Sequence, residues 1–170
     1  MILTGSEIQK RHTNGQIRIE PFSSDRLTTN TYDLALGGKL LKYTEDVLDP
    51  KKENAFKVFE IPEEGYQMKA GEFLLAKKKE KIGSNHLVPI IHAKSGTARM
   101  GLFVHVTADL FDIGYYGKST LQLYATLPVR IYPGMLIAQV SFWVPKGEID
   151  LYSGKYQGGE GPQASKSHQG

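Results

Sequence analysis

The sequence predicts an all-β domain, built as a sandwich or a barrel. Short apolar segments of roughly period-two alternation recur along most of the chain, Gly, Pro, Asn and Asp separate them, and only one helix is suggested before mid-chain. The expected strands cover residues 17–22, 56–61, 73–77, 88–93, 102–106, 119–124 and 136–144. The helix is a short one over residues 6–10, where Thr4 and Glu7 have the spacing of a capping box and Asn14-Gly15 turns the chain. With 170 residues, 40% of them hydrophobic, a single core and a single domain suffice, and no repeat or linker divides it. That domain is expected over residues 1–153. Residues 154–170, rich in Gly, Ser, Gln and Lys, form a tail expected to be mobile alone and to order over a ligand.

Composition narrows the chemistry. The chain has no cysteine, which excludes disulfides, thiolate metal sites and a Cys nucleophile and fits a reducing compartment, the cytoplasm of a cell or of a virus's host. No signal-like start and no run of about 18 apolar residues is present, so no membrane partner is expected. A net charge of +3, from 21 basic and 18 acidic residues, is too balanced for nucleic-acid binding through bulk charge and would not oppose a small polyanion. The lysine run Lys77-Lys78-Lys79-Glu80-Lys81 reads as a solvated edge or loop and is assigned no function.

Chemistry gathers in two places. Lys94-Ser95-Gly96-Thr97-Ala98-Arg99 follows an apolar strand, with Ser95 as N-cap and Gly101 as a plausible C′ glycine, so one helical turn is expected. Its free N–H groups, with Lys94, the two hydroxyls and Arg99, outline an anion site, although plain capping of a loop explains the same residues. Asp112 lies in the polar turn 111–117, where an aspartate can form a turn, hold Mg²⁺ through water, contact a sugar hydroxyl or activate a water. His105 lies in an apolar strand with no second His or Cys at zinc-ligand spacing, which argues against zinc-dependent deamination.

Several segments in order resemble the dCTP deaminases and trimeric dUTPases. They are Lys94 to Leu102, His105-Val106-Thr107-Ala108 with Asp112, Pro133 to Gln139, and Gly154-Lys155-Tyr156-Gln157-Gly158 with Gly161-Pro162; Thr31-Tyr32-Asp33-Leu34 matches the early strand. The resemblance implies a distorted β-barrel or jelly roll of the dUTPase-like type, a homotrimer with sites between subunits, and a tail that closes as a lid. It implies that Lys94, Ser95, Gly96 and Thr97 hold phosphates, with Arg99 in support, and that Ala108 contacts the base through its backbone. Asp112 would lie against the deoxyribose or the attacking water. Thr120, Leu121 and Gln122 would join the nucleotide contacts, and Gln139, Tyr152, Lys155 and Tyr156 would complete a triphosphate pocket, with Mg²⁺ held by phosphates and water and no direct protein ligand.

The departures set the expected function. Gln122 stands where the deaminases carry a glutamate that shuttles protons as water adds to C4 of cytosine, and a neutral amide cannot be a general base. Ala125 replaces a common asparagine, Gly159 a tail glutamine, and Asp109-Leu110 the His-Arg pair of some deaminases. Gln122 can donate and accept, as reading uracil requires. The leading expectation is therefore a dUTP diphosphatase, with Asp112, Gln122, Arg99 and Ser95 as catalytic residues. The alternatives are a dCTP deaminase forming dUTP or dUMP, in which Gln122 is an inactivating substitution, and a non-catalytic nucleotide-binding regulator.

Overall fold

The computed structural model describes residues 1–169. Twelve strands, two α-helices and two short 3-10 helices follow in chain order. Helix α1 spans Gly5–Thr13, longer than expected because Glu7 and Arg11 pair one turn apart at 2.6 Å. The capping box does not form: the Thr4 side chain caps no backbone N–H and meets the Ser6 hydroxyl at 3.1 Å.

The strands are β1 (Arg18–Glu20), β2 (Tyr32–Tyr43), β3 (Phe56–Glu60), β4 (Tyr66–Met68), β5 (Phe73–Lys78), β6 (Lys81–Gly83), β7 (Val88–Ala93), β8 (Leu102–Val104), β9 (Tyr116–Gly117), β10 (Thr120–Ala125), β11 (Val129–Ile131) and β12 (Leu136–Trp143), with helix α2 (Ser95–Arg99) between β7 and β8. The main sheet runs β7-β12-β2-β5-β10-β8, with β3 added beside β2. All its pairs are antiparallel, so the fold is all-β as expected. Edge strands β7 and β8 do not pair directly. The chain after β8 returns instead, with Ile91 N donating to Asp109 O and Phe111 N to Pro89 O, both at 2.9 Å, which nearly closes the sheet into a barrel.

The alternation that predicted strands also fills the interior. In β10, Leu121, Leu123 and Ala125 are buried while Thr120, Gln122 and Tyr124 face outward; Leu34, Leu36, Leu40, Leu74, Ala76, Val140 and Phe142 complete the core. Strand β2 is the longest and serves two neighbours: residues 32–35 pair with β12, and residues 39–43 pair with β3, while β5 follows its other edge. A break in register between Leu36 and Leu40 bends it. Gly37 sits at the bend, where an added Cβ would lie 2.8 Å from the Lys77 backbone carbonyl oxygen.

The lysine run departs from its expected exposure. Lys78 is fully buried in β5 and donates from Nζ to Glu80 O at 2.6 Å and Gly117 O at 3.0 Å. Glu80 is buried as well, held by Arg26 and by the Ala35 N–H at 3.1 Å. Only alternate members of the run reach solvent, as a strand requires.

Candidate functional site

A cavity of about 810 Å³ opens on the outward face of β10. Thr120 and Gln122 of β10 with Leu75 of β5 form its floor, residues 105–112 one wall, and Tyr152, Tyr156, Gln163 and Ser165 of the tail cover it. The floor is fixed by register, since Gln122 stands opposite Leu75 in the ladder and its carbonyl accepts the His105 N–H at 3.2 Å. The wall is fixed by the closing segment 109–111, whose hydrogen bonds to β7 aim Asp112 into the space.

At His105 the strand expected over residues 102–106 ends early. Its φ of 56° is left-handed, a conformation uncommon outside glycine, and it turns the wall away from the sheet. The imidazole is buried, edge-on to Phe111 at 5.7 Å, and neither ring nitrogen has a partner among the described residues. Burial, and then the nearby Lys78 charge, push its pKa down to about 4 against the opposing pull of Asp109. The ring is therefore neutral at pH 7. Tyr115 packs between Phe111 and Tyr152, and burial raises its phenol to about 12.

Of the predicted site residues, Ala108, Asp112, Thr120, Gln122, Tyr152 and Tyr156 line this cavity. Leu121 does not: its side chain is wholly in the core, which leaves only its backbone for a ligand. Lys94, Ser95, Gly96, Thr97 and Arg99 lie on and before α2, outside the cavity lining of this chain. Lys94 forms an ion pair with Asp33 of β2, Thr97 is buried, and Arg99 donates back to Ser95 O at 3.2 Å. Gln139 is opposite Asp33 in the β2–β12 ladder and accepts the Thr31 hydroxyl at 3.1 Å, so it belongs with Lys94 and not with the cavity. Lys155 is exposed, with its carbonyl accepting Lys166 Nζ at 2.8 Å. The site residues thus fall into two clusters, one around the cavity and one around α2.

Sequence reasoning missed Tyr43, Leu75, Ser119, Gln163 and Ser165, all in the lining. Tyr43 ends β2, and its hydroxyl accepts the Ser165 N–H at 2.7 Å; nothing local in the sequence links residues 122 positions apart. Asp33, in the early-strand motif, carries no predicted role, and no local signal in the sequence links it to Lys94, 61 positions away.

A family model described as dCTP deaminase-like matches residues 2–144. The chain belongs to the dCTP deaminase-like family. This dCTP deaminase-like protein is 44% identical to a relative from Hathewaya histolytica over 97% of its own length and 96% of the relative's. It is 45% identical to one from Clostridium botulinum (strain Alaska E43 / Type E3) and 42% identical to one from Leptospira biflexa serovar Patoc (strain Patoc 1 / Ames), each over 97% of this chain and 95% of the other. All three relatives are named dCTP deaminase, dUMP-forming. Among solved structures, the 2'-deoxycytidine 5'-triphosphate deaminase of Agrobacterium tumefaciens superposes with a TM-score of 0.67 at 18% identity. The match covers 85% of this chain and 48% of that one, so this chain spans about half that protein's length and shares its fold.

These relatives correct the leading expectation of a dUTP diphosphatase. That reading weighted one amide, Gln122, above the rest of the chain, whereas kinship at 42–45% identity over 166 residues groups the protein with enzymes named for dCTP. A single side chain on a cavity floor can alter the rate of a step without altering what the surrounding cavity is shaped to hold.

Proposed function

We propose that the chain is a dCTP deaminase of the dUMP-forming type, working in the cytoplasm as a homotrimer with sites shared between copies. The observation that carries the reading is the kinship along almost the whole chain with relatives of that name. The reaction consumes two waters: one adds at C4 of the base and releases ammonia, the other attacks the α-phosphorus and releases pyrophosphate. The cavity can serve both. The Ala108 backbone and Gln122 face the base, and Asp112 orients or deprotonates a water beside the sugar and α-phosphate. Tyr152 and Tyr156 exclude bulk solvent.

The triphosphate needs cations and N–H donors, and the cavity of one chain carries few of them. Lys94, Ser95, Gly96, Thr97, Arg99 and Gln139 form the other cluster. In a trimer that cluster of one copy meets the cavity of the next, with Lys155 adding charge from the tail. Mg²⁺ would arrive with the substrate, on its phosphate oxygens, with no direct protein ligand. The Asp33 carboxylate must release Lys94 or share it when the phosphates arrive.

Gln122 leaves the deamination step without its general base. Such groups contribute about 10²–10⁴-fold, so deamination by this chain is slow and Gln122→Glu raises it by that factor. The test is dCTP with Mg²⁺ and either form of the protein, with nucleotides resolved by ion exchange and ammonia assayed in parallel. Equal yields of dUMP and ammonia, far faster with Gln122→Glu, support the reading. No dUMP or dUTP from dCTP with either form refutes it. Light scattering that returns the mass of a single chain refutes the shared site.

A further inference from the structure

The tail is seated on its own chain. From Tyr152 onward it runs alongside residues 113–120: Tyr152 N donates to Ile113 O at 2.8 Å, Gly158 N to Tyr116 O at 3.2 Å, Lys118 N to Gly159 O at 2.7 Å, and Gln163 N to the Thr120 hydroxyl at 2.9 Å. The two segments approach so closely that a Cβ on Gly117 would lie 2.8 Å from Gly159 N. In the middle of this ladder Glu160 carries the tail's one acidic side chain. One of its carboxylate oxygens pairs with Lys81 of β6, and the other lies 3.9 Å from Lys118 on the cavity rim. Lys81, with Lys118 and Lys77 beyond it, holds that carboxyl below its usual range.

We propose that Glu160, gripped by Lys81 and Lys118, is the latch that keeps the tail closed over the cavity of its own chain, and so a positioning residue for ligand capture. An exposed ion pair ordinarily contributes little, because two long side chains must be ordered to form it. Here the backbone bonds on either side already fix Glu160, and the lysines stand on β6 and on the β9–β10 link, so little further ordering is required. The same contacts position Tyr152, Tyr156 and Gln163, three of the tail residues that face the cavity. The lysine run thereby gains a divided role: Lys78 is inside the fold, while Lys77 and Lys81 set the potential that the tail carboxylate meets.

The experiment is hydrogen exchange of the tail amides in the full, nucleotide-free chain, for the wild type, Glu160→Gln, Lys81→Met and the double variant. Each single variant is expected to speed exchange at residues 158–163 about two- to five-fold. The double variant should exceed neither single by much, since both remove the same contact. Added sodium chloride should speed exchange in the wild type and leave Glu160→Gln nearly unchanged. Unchanged exchange in Glu160→Gln, or fully multiplicative effects in the double variant, would overturn the latch. A second readout, resting on the reading above that the cavity takes dCTP, is release of dCTP–Mg²⁺, expected to quicken by a similar factor in Glu160→Gln. Faster exchange with unchanged release would overturn the positioning role. Failure of the wild type to bind dCTP would count against the nucleotide reading, while the exchange result decides the latch by itself.

Discussion

Replacing Lys78 with methionine should change how stability depends on pH, in addition to a loss that is the same at every pH. Lys78 is fully buried, and two of its hydrogens are used by Glu80 O and Gly117 O, which a neutral amine can satisfy as well as an ammonium. Burial lowers its pKa from 10.5 to about 7, against the favourable charge of Glu80 and with a small further push from Lys118. Between those two values the unfolded chain binds a proton that the folded chain does not, so stability contributed by this residue is lowest below about pH 7 and rises as pH increases towards 10.5. The slope approaches about 1.4 kcal/mol per pH unit. Lys78→Met removes that slope and leaves two buried carbonyls without their donor, at about 1–3 kcal/mol each. The wild type should therefore gain on the variant by about 1.4 kcal/mol for each unit from pH 7.5 to 9.5, and the gap should level off below about pH 6. Urea unfolding followed by circular dichroism at fixed protein concentration measures it. Parallel stability curves from pH 6 to 9.5 would refute the reasoning and mean that Lys78 stays charged when folded.

Burial also fixes the sign of the acid limb at His105. Its folded pKa of about 4 lies below the usual 6.5, so stability is lost as pH falls between those values, and His105→Leu should flatten that part of an acid-unfolding profile by about 1.4 kcal/mol per unit. Gly114 has φ +98°, and an added Cβ would lie 2.8 Å from Tyr152 N, so Gly114→Ala should cost about 1–2 kcal/mol in thermal unfolding and loosen the start of the tail. Asp112→Asn should leave dCTP binding within a few-fold in calorimetry while slowing pyrophosphate release from dCTP by about 10²-fold or more.

The strands were legible wherever one face is buried, because alternation then repeats in the sequence, with β10 the clear case; β12 was legible as a mostly apolar run buried on both faces. Strands β4, β6, β9 and β11 are two or three residues long, too short for a period to show. Strand β2 was visible only through a motif, since Gly37 and Gly38 interrupt its pattern at the bend. Of the site, the stretch from Ala108 to Gln122 could be read because its residues are near in sequence and end in one cavity. The partner of Lys94 and the tail's seat could not, because both depend on contacts that only the closed sheet creates. Nor could the burial of Lys78, since five charged residues in a row give no hint that one turns inward.

Strand β2 carries Asp33 at one end and Tyr43 at the other, the first tied to the anion loop and the second to the far part of the tail. Ten residues of strand, bent at Gly37, separate these anchors by at most about 33 Å. The strand acts as a spacer between the two clusters, tying one to its first residues and the other to its last. In the proposed trimer, assembling copies and completing a site would be one event, subject to mass action. Dilution would silence turnover at concentrations where every separate chain is still folded.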